Sequence, residues 1–172
     1  EWAGSIKEMI ERQISEPQGE QSLRSRIPSL TPIQDTVSQS VREQYEENPY
    51  PRWVKTDIGD KGWAIGTVLQ MAPLRFDLGD YQSPESPEIL IAGCGTGQHA
   101  LVTASRFSNA RVLAVDLSLS SLSYAARKTK ELGITNIEYA QADIMELGNL
   151  GRRFDLIECG GVLHHLGDPL AG

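Results

Sequence analysis

The chain has 172 residues, with 23 acidic against 16 basic side chains, a net charge of −7 and two cysteines. That length suits one domain with a single core, and the acidic balance argues against a general phosphate-binding surface, so no nucleic acid is expected as a partner. Cys94 and Cys159 are far apart and form no C-x-x-C pair, which disfavours a disulfide framework or a zinc ribbon and fits free thiols in a reducing, cytoplasmic compartment. No apolar run approaches the roughly 20 residues of a membrane span, so no membrane partner is expected.

From the N-terminus, Ile6, Met9, Ile10 and Ile14 recur at helical spacing and predict a short amphipathic helix over residues 2–14. Glu16-Pro17-Gln18-Gly19 is expected to end it, with a polar linker over 21–29. Thr31 as cap, Pro32 at the first helical position and Gln34 completing a capping box predict a second helix. It would run to about Tyr45, because Asn48-Pro49 and Tyr50-Pro51 cannot continue it. Residues 44–53 hold Tyr45, Tyr50 and Trp53 with two prolines and Arg52, and show neither helical nor strand period. They are either a rigid loop whose rings pack on the domain, or a lid whose rings can face a sulfonium or another cation. Residues 60–71, with Trp63, Ile65, Val68 and Leu69, predict a third helix closed by Pro73. The serine- and proline-rich stretch over 80–87 then separates a helical N-terminal arm, 1–87, from the domain that begins at Glu88.

Ile89 to Ala92 have the length and β-branching of a strand buried on both faces, and Gly93, Gly95 and Gly97 follow at alternate positions. Gln98 to Phe107 reads as a helix with Ala100, Leu101 and Ala104 on one side. A strand, glycine turn and helix in succession present backbone N–H groups and a helix N-terminus to a ligand; a purely structural turn is the plainer alternative. The dinucleotide fingerprint G-x-G-x-x-G fails, because Gln98 stands where its third glycine belongs.

Residues 111–116 predict a second strand ending in Asp116, a carboxylate about 20 residues past the glycines, where ribose hydroxyls are recognised; a helix cap is the alternative. Ser118 is expected to cap a helix that turns Leu122, Ala125, Ala126, Thr129 and Leu132 to the sheet and stops at Gly133. Arg127, Lys128 and Lys130 late in that helix read as a solvated end that complements the helix dipole. A third strand is expected over 136–140, followed by Asp143 and Ile144, with Asp143 either a ligand group or the cap of a short turn. The fourth strand spans 154–158, and residues 158–160 at its carboxyl end should approach the ligand crevice.

With these motifs in this order, the segment 89–166 resembles the class I S-adenosylmethionine (SAM)-dependent methyltransferases, whose motif I has the Gly93-x-Gly95-x-Gly97 spacing. Residues 44–53 are similar to a phrase in bacterial methyltransferases that often carry tetratricopeptide repeats, although no repeat is visible here. The resemblance implies a Rossmann-like, doubly wound and mostly parallel α/β sheet of strand order 3-2-1-4. It also implies SAM as cofactor, S-adenosylhomocysteine as product and an unidentified methyl acceptor as partner. By position, Gly93, Cys94, Gly95, Thr96, Gly97 and Gln98 would hold the methionine moiety, Asp116 the ribose with Leu117 beside it, and Asp143 and Ile144 the adenine. Cys159 would lie near the methyl donor.

Two departures stand out. Ile91 replaces the acid usual two residues before the first glycine, and Glu158-Cys-Gly-Gly161 stands where amino methyltransferases carry an Asn/Asp-Pro-Pro-aromatic motif. Among other readings, a non-catalytic SAM- or nucleotide-binding domain comes second and an NAD-dependent oxidoreductase third. His164-x-x-x-Asp168 imitates an acyltransferase motif without its spacing, and the adjacent histidines have no metal-ligand spacing. No metal site and no catalytic residue are assigned from the sequence. A complete sheet of this family has seven strands, so the domain 88–172 is expected to be a piece ending after its fourth. The edge so exposed is expected to pair two copies into a homodimer.

Overall fold

The computed structural model describes residues 2–59 and 61–172; the expected helix start at Asp60 lies outside them. Helix α1 (Trp2–Ile10), a π-helical turn (Glu11–Ser15) and α2 (Glu16–Arg24) form one continuous rod. The break expected at Glu16–Gly19 is therefore absent, and of the linker expected over 21–29 only residues 25–29 lie outside the helix. In a regular helix the ring of Pro17 would strike the carbonyl four residues back. Here the preceding turn is widened, with the Glu16 N–H donating to the Glu11 carbonyl five residues back, and Pro17 falls in the first turn of α2.

Helix α3 (Thr36–Glu47) begins five residues later than the expected cap. Asp35 is its N-cap, accepting from the Ser38 N–H at 2.9 Å, and Thr31 is instead buried with its hydroxyl bound to the Asp143 N–H at 2.8 Å. The third helix is shorter than expected, with α4 spanning Ile65–Gln70.

Strands β1 (Glu88–Ala92), β2 (Arg111–Asp116), β3 (Ile137–Gln141) and β4 (Leu156–Glu158) form one sheet of order β3-β2-β1-β4, and every pairing is parallel. Helices α5 (Gln98–Arg106) and α6 (Leu119–Glu131) cover one face. There Ile89, Ile91, Val112 and Ala114 pack with Ala100, Ala104, Phe107 and Leu122. On the other face Leu90, Ala92, Leu113 and Val115 meet Ile144, Leu147 and Phe154 from the segment after β3, which includes a 3-10 turn (Ile144–Leu150). Parallel strands covered on both sides need continuous apolar runs, and β1 and β2 supply them.

Helix α6 departs from expectation at its C-terminal end. Leu132 is exposed and not turned to the sheet. Lys128 is buried over the Trp53 ring and donates to the Val54 carbonyl at 3.2 Å. Arg127 pairs with Glu16 and Glu20 of α2 at 3.0 Å each, and Glu20 also takes Arg52 at 2.9 Å. Only Lys130 of the three basic residues is a solvated end. These ion pairs, not an apolar stripe, fasten α2 to α6, while Ile6, Met9, Ile10 and Ile14 remain about half exposed.

Candidate cofactor site

In an open parallel sheet the ligand crevice forms at the carboxyl ends of the strands, where the connections diverge. A cavity of about 450 Å³ lies there, within the range of small-molecule sites. Its walls come from the turns after β1, β2, β3 and β4, and from α3 and residues Tyr50 and Pro51 above them.

The glycine turn is shaped by hydrogen bonds and by steric necessity. Gly93 and Cys94 both donate to the Val115 carbonyl at 2.9 Å, and the Gly97 N–H closes the turn onto the Cys94 carbonyl at 2.9 Å. Gly93 has φ +75° and Gly97 φ +82°. A Cβ at Gly93 would strike Val162, and one at Gly97 would lie 2.5 Å from the Ala125 Cβ. Only glycine gives both the left-handed conformation and the close approach.

Asp116 ties this turn to α6. Its Oδ2 accepts from the Gly95 N–H at 2.7 Å and its Oδ1 from the Ser118 N–H at 2.9 Å. Burial pushes the carboxyl above its usual range, against the lowering effect of the Ser118 and Gly95 hydrogen bonds. Asp116 thus braces the local backbone and also lines the cavity, while Ser118 is the N-cap of α6. The aromatic segment divides in the same way. Trp53 is buried and donates to the Thr96 carbonyl at 3.0 Å, and the Thr96 hydroxyl donates to the Pro51 carbonyl at 2.6 Å. Tyr45 and Tyr50 form cavity wall instead.

Of the residues named from sequence, Gly93, Cys94, Gly95, Thr96, Gln98, Asp116, Leu117 and Ile144 line the cavity. Gly97 sits behind the wall against α6. Asp143 is buried between Ala142 and Ile144, and its Oδ1 accepts from the Met145 N–H at 3.1 Å, capping the 3-10 turn. Cys159 is exposed, while Gly160 and Gly161 beside it form the wall. The two adjacent histidines form a 3-10 turn (Leu163–His165), with the His165 ring edge-on to Tyr45 and His164 more exposed.

Other lining residues carry no sequence signal. His99 follows the glycine turn, and its Nε2 lies 2.9 Å from Glu158 Oε2. The Thr103 hydroxyl donates to the same oxygen at 2.5 Å. Burial alone would raise the Glu158 carboxyl, but the hydrogen bonds from His99 and Thr103 outweigh it and hold the group below its ordinary range. Glu158 is in register with Ile91 on the neighbouring strand, so the acid missing from β1 has a counterpart one strand over. Ser38 on α3 and Ser121 on α6 also line the cavity.

The donor set can be tested against the implied cofactor. Val115, Leu117, Ala142 and Ile144 offer an apolar slot for a flat base. Asp116 offers carboxylate lone pairs for a diol, and no lysine or arginine lines the cavity among the described residues. A site with one carboxylate and no fixed cation suits a sulfonium better than a pyrophosphate, so the residues fit SAM.

Residues 89–171 match the family model described as methyltransferase domain. They are a class I methyltransferase domain. An uncharacterised protein of Synechococcus is 32% identical to the chain over 150 residues, covering 87% of this chain and 36% of that protein. The malonyl-[acyl-carrier protein] O-methyltransferase of Acetivibrio thermocellus is 33% identical over 88 residues, covering 51% of this chain and 30% of that enzyme. The solved structure of the [4+2]-cyclase SpnF shares the fold with a TM-score of 0.53 at 20% identity, covering 84% of this chain and 54% of that one. The chain spans about a third of the length of the Synechococcus and Acetivibrio relatives. In this methyltransferase domain all four strand ends converge on the cavity, as the family's parallel sheet requires. No helix among the described residues is long and apolar enough to cross a membrane.

Proposed function

We propose that the chain binds SAM in this cavity and belongs to an enzyme that transfers its methyl group to an acceptor, releasing S-adenosylhomocysteine. The observation that carries the reading is the joining of the glycine turn to Asp116 at the mouth of a cavity within the segment that matches the methyltransferase family. In the proposed arrangement the backbone of 93–98 holds the methionine moiety, Asp116 the ribose hydroxyls, and Ala142, Asp143 and Ile144 the adenine side. Leu117 packs beside the ribose, and Cys159 lies just outside the wall that Gly160 and Gly161 build. When bound, SAM supplies an electrophilic methyl on a sulfonium. The chain's own contribution is alignment and exclusion of water, since in-line displacement is accelerated largely by holding the reactants at near-attack distance. Tyr45 and Tyr50 place aromatic rings on the wall, and a ring that turns its face to the cavity favours a cation.

Three further parts belong to this reading. Residues 1–87 serve as a cap over the cofactor-binding part 88–172, the protein works in the cytoplasm, and two copies pair through the free edge of β4.

Calorimetric titration with S-adenosylhomocysteine tests the cofactor. The wild type is expected to bind, and Asp116→Ala to bind at least about tenfold more weakly through loss of charge-assisted hydrogen bonds. Asp116→Asn keeps one acceptor oxygen for the Gly95 N–H and separates loss of the ligand contact from loosening of the turn. Failure of the wild type to bind would overturn the proposal.

A further inference from the structure

Two buried hydroxyls have no partner. Ser38 and Ser121 are 3% and 0% exposed, and the Oγ atom of each makes no hydrogen bond among the described residues. Neither is left over from helix capping. At Ser38 it is the backbone N–H that binds Asp35, and at Ser121 it is the backbone N–H that binds the Ser118 hydroxyl. A buried hydroxyl without a partner forfeits its hydration with nothing in return, and native structures rarely keep one without a use. Both residues belong to the wall of the same cavity.

Their positions agree on which part of the cavity they serve. Ser121 stands in the first turn of α6, three residues after Ser118, whose N–H binds the Asp116 carboxylate. Ser38 opens α3, which follows the strap whose Thr31 hydroxyl holds the Asp143 N–H between Ala142 and Ile144. Ser121 therefore sits beside the turn after β2 that carries Asp116, and Ser38 lies on the arm that the Thr31–Asp143 bond fastens beside the turn after β3.

We propose that the Ser38 and Ser121 hydroxyls are ligand-binding groups that hydrogen-bond the adenosine part of the bound cofactor. The N-terminal arm thereby contributes directly to the cofactor site through α3. This rests on the SAM reading above. A nucleoside carries hydroxyls and ring nitrogens that can donate to and accept from a serine hydroxyl, which serves as either partner. Binding would satisfy two groups that the free protein leaves unpaired, and recognition would be gained without displacing an existing hydrogen bond.

The test compares Ser38→Ala, Ser121→Ala and the double variant with the wild type, using two probes. S-adenosylhomocysteine carries both ends of the cofactor, and 5′-methylthioadenosine carries the adenosine end alone. Thermal unfolding of each free protein and calorimetric affinity for both probes are measured. Because the hydroxyls are unpaired in the free protein, each alanine should leave the free unfolding temperature unchanged or raised. Each should weaken both probes by a similar factor, about three- to tenfold for a neutral hydrogen bond. Ser120→Ala is the control from the same turn, since its hydroxyl is already held by Glu46 at 2.6 Å. It should lower the free unfolding temperature and spare affinity.

Three results would overturn the assignment while leaving SAM binding intact: variants that bind both probes normally, variants whose only change is a less stable free protein, or weakening of S-adenosylhomocysteine without weakening of 5′-methylthioadenosine. Failure of the wild type to bind either probe would overturn the SAM reading and this assignment together.

Discussion

Cys94 and Cys159 show how position on the same sheet sets side-chain chemistry. Cys94 is buried in the glycine turn, and burial, reinforced by the nearby Asp116 charge, pushes its thiol well above the usual range. Cys159 is exposed, and desolvation raises its thiol as well. Since the thiolate is the reacting species, iodoacetamide at pH 8 should modify Cys159 at least about tenfold faster than Cys94. Peptide mass spectrometry over a time course reads the ratio, and bound S-adenosylhomocysteine should slow Cys94 further because that residue lines the cavity. Glu158 supplies the pH dependence. Its folded value lies below the unfolded one near 4.5, so its contribution is complete above that pH and is lost as pH falls through the lower folded value. Glu158→Gln should destabilise by about 1 kcal/mol at pH 7, a modest figure because its His99 partner is half-exposed. In urea unfolding the gap from wild type should narrow as the pH falls below 4.5. Asp116 was legible at this scale because strand ends and glycine spacing announce it. Glu158 was legible only as a strand end near the crevice, and its union with His99 and Thr103 was not, since a triad contributed by β4 and α5 has no signature along the chain.

Among the elements, β1, α5, β2 and α6 fall close to where the sequence places them, since apolar runs, glycine stops and a serine cap are local signals. The arm was harder to read because it is held by polar contacts to distant partners. Glu46 of α3 illustrates this. Its carboxylate accepts from the Leu119 and Ser120 N–H groups at 3.0 Å each and pairs with Arg24 at 3.2 Å. One helix thus caps another, placing negative charge where the α6 dipole favours it. Glu46→Ala should cost about 1–2 kcal/mol through the lost cap. Hydrogen exchange should show protection falling in α3 and in the first turn of α6 while the sheet is unchanged; uniform protection would count against this coupling. Thr31 carried a false helix signal for a related reason, since its hydroxyl is engaged by Asp143 across 112 residues of sequence.

For the whole molecule, the parallel sense of the sheet was legible because each strand was followed by a helix or turn that carries the chain back, while the order 3-2-1-4 was legible only through the family resemblance. How a second copy would meet the first depends on the edges. β4 is the outer strand on one side, with Ile157 60% exposed, and an apolar unpaired edge recruits another strand. The 172-residue chain is therefore expected to run in light scattering at twice its 18.9 kDa, and Ile157→Lys to return it to one copy. A wild-type monomer at micromolar concentration would sink the proposal.

The opposite edge is built differently. Residues 28–30 of the arm lie alongside the end of β3, with the Leu30 N–H donating to the Gln141 carbonyl and the Gln141 N–H to the Pro28 carbonyl, each at 2.8 Å. That strap blunts the outer border of β3 where it would otherwise accept a neighbour. A sheet with one sticky side and one blunted side has a ceiling on its growth. If two copies of the 172-residue chain join through β4 as proposed, the borders left outward are those of β3, each blunted at its end by the strap, and this opposes growth of the pair into a fibre.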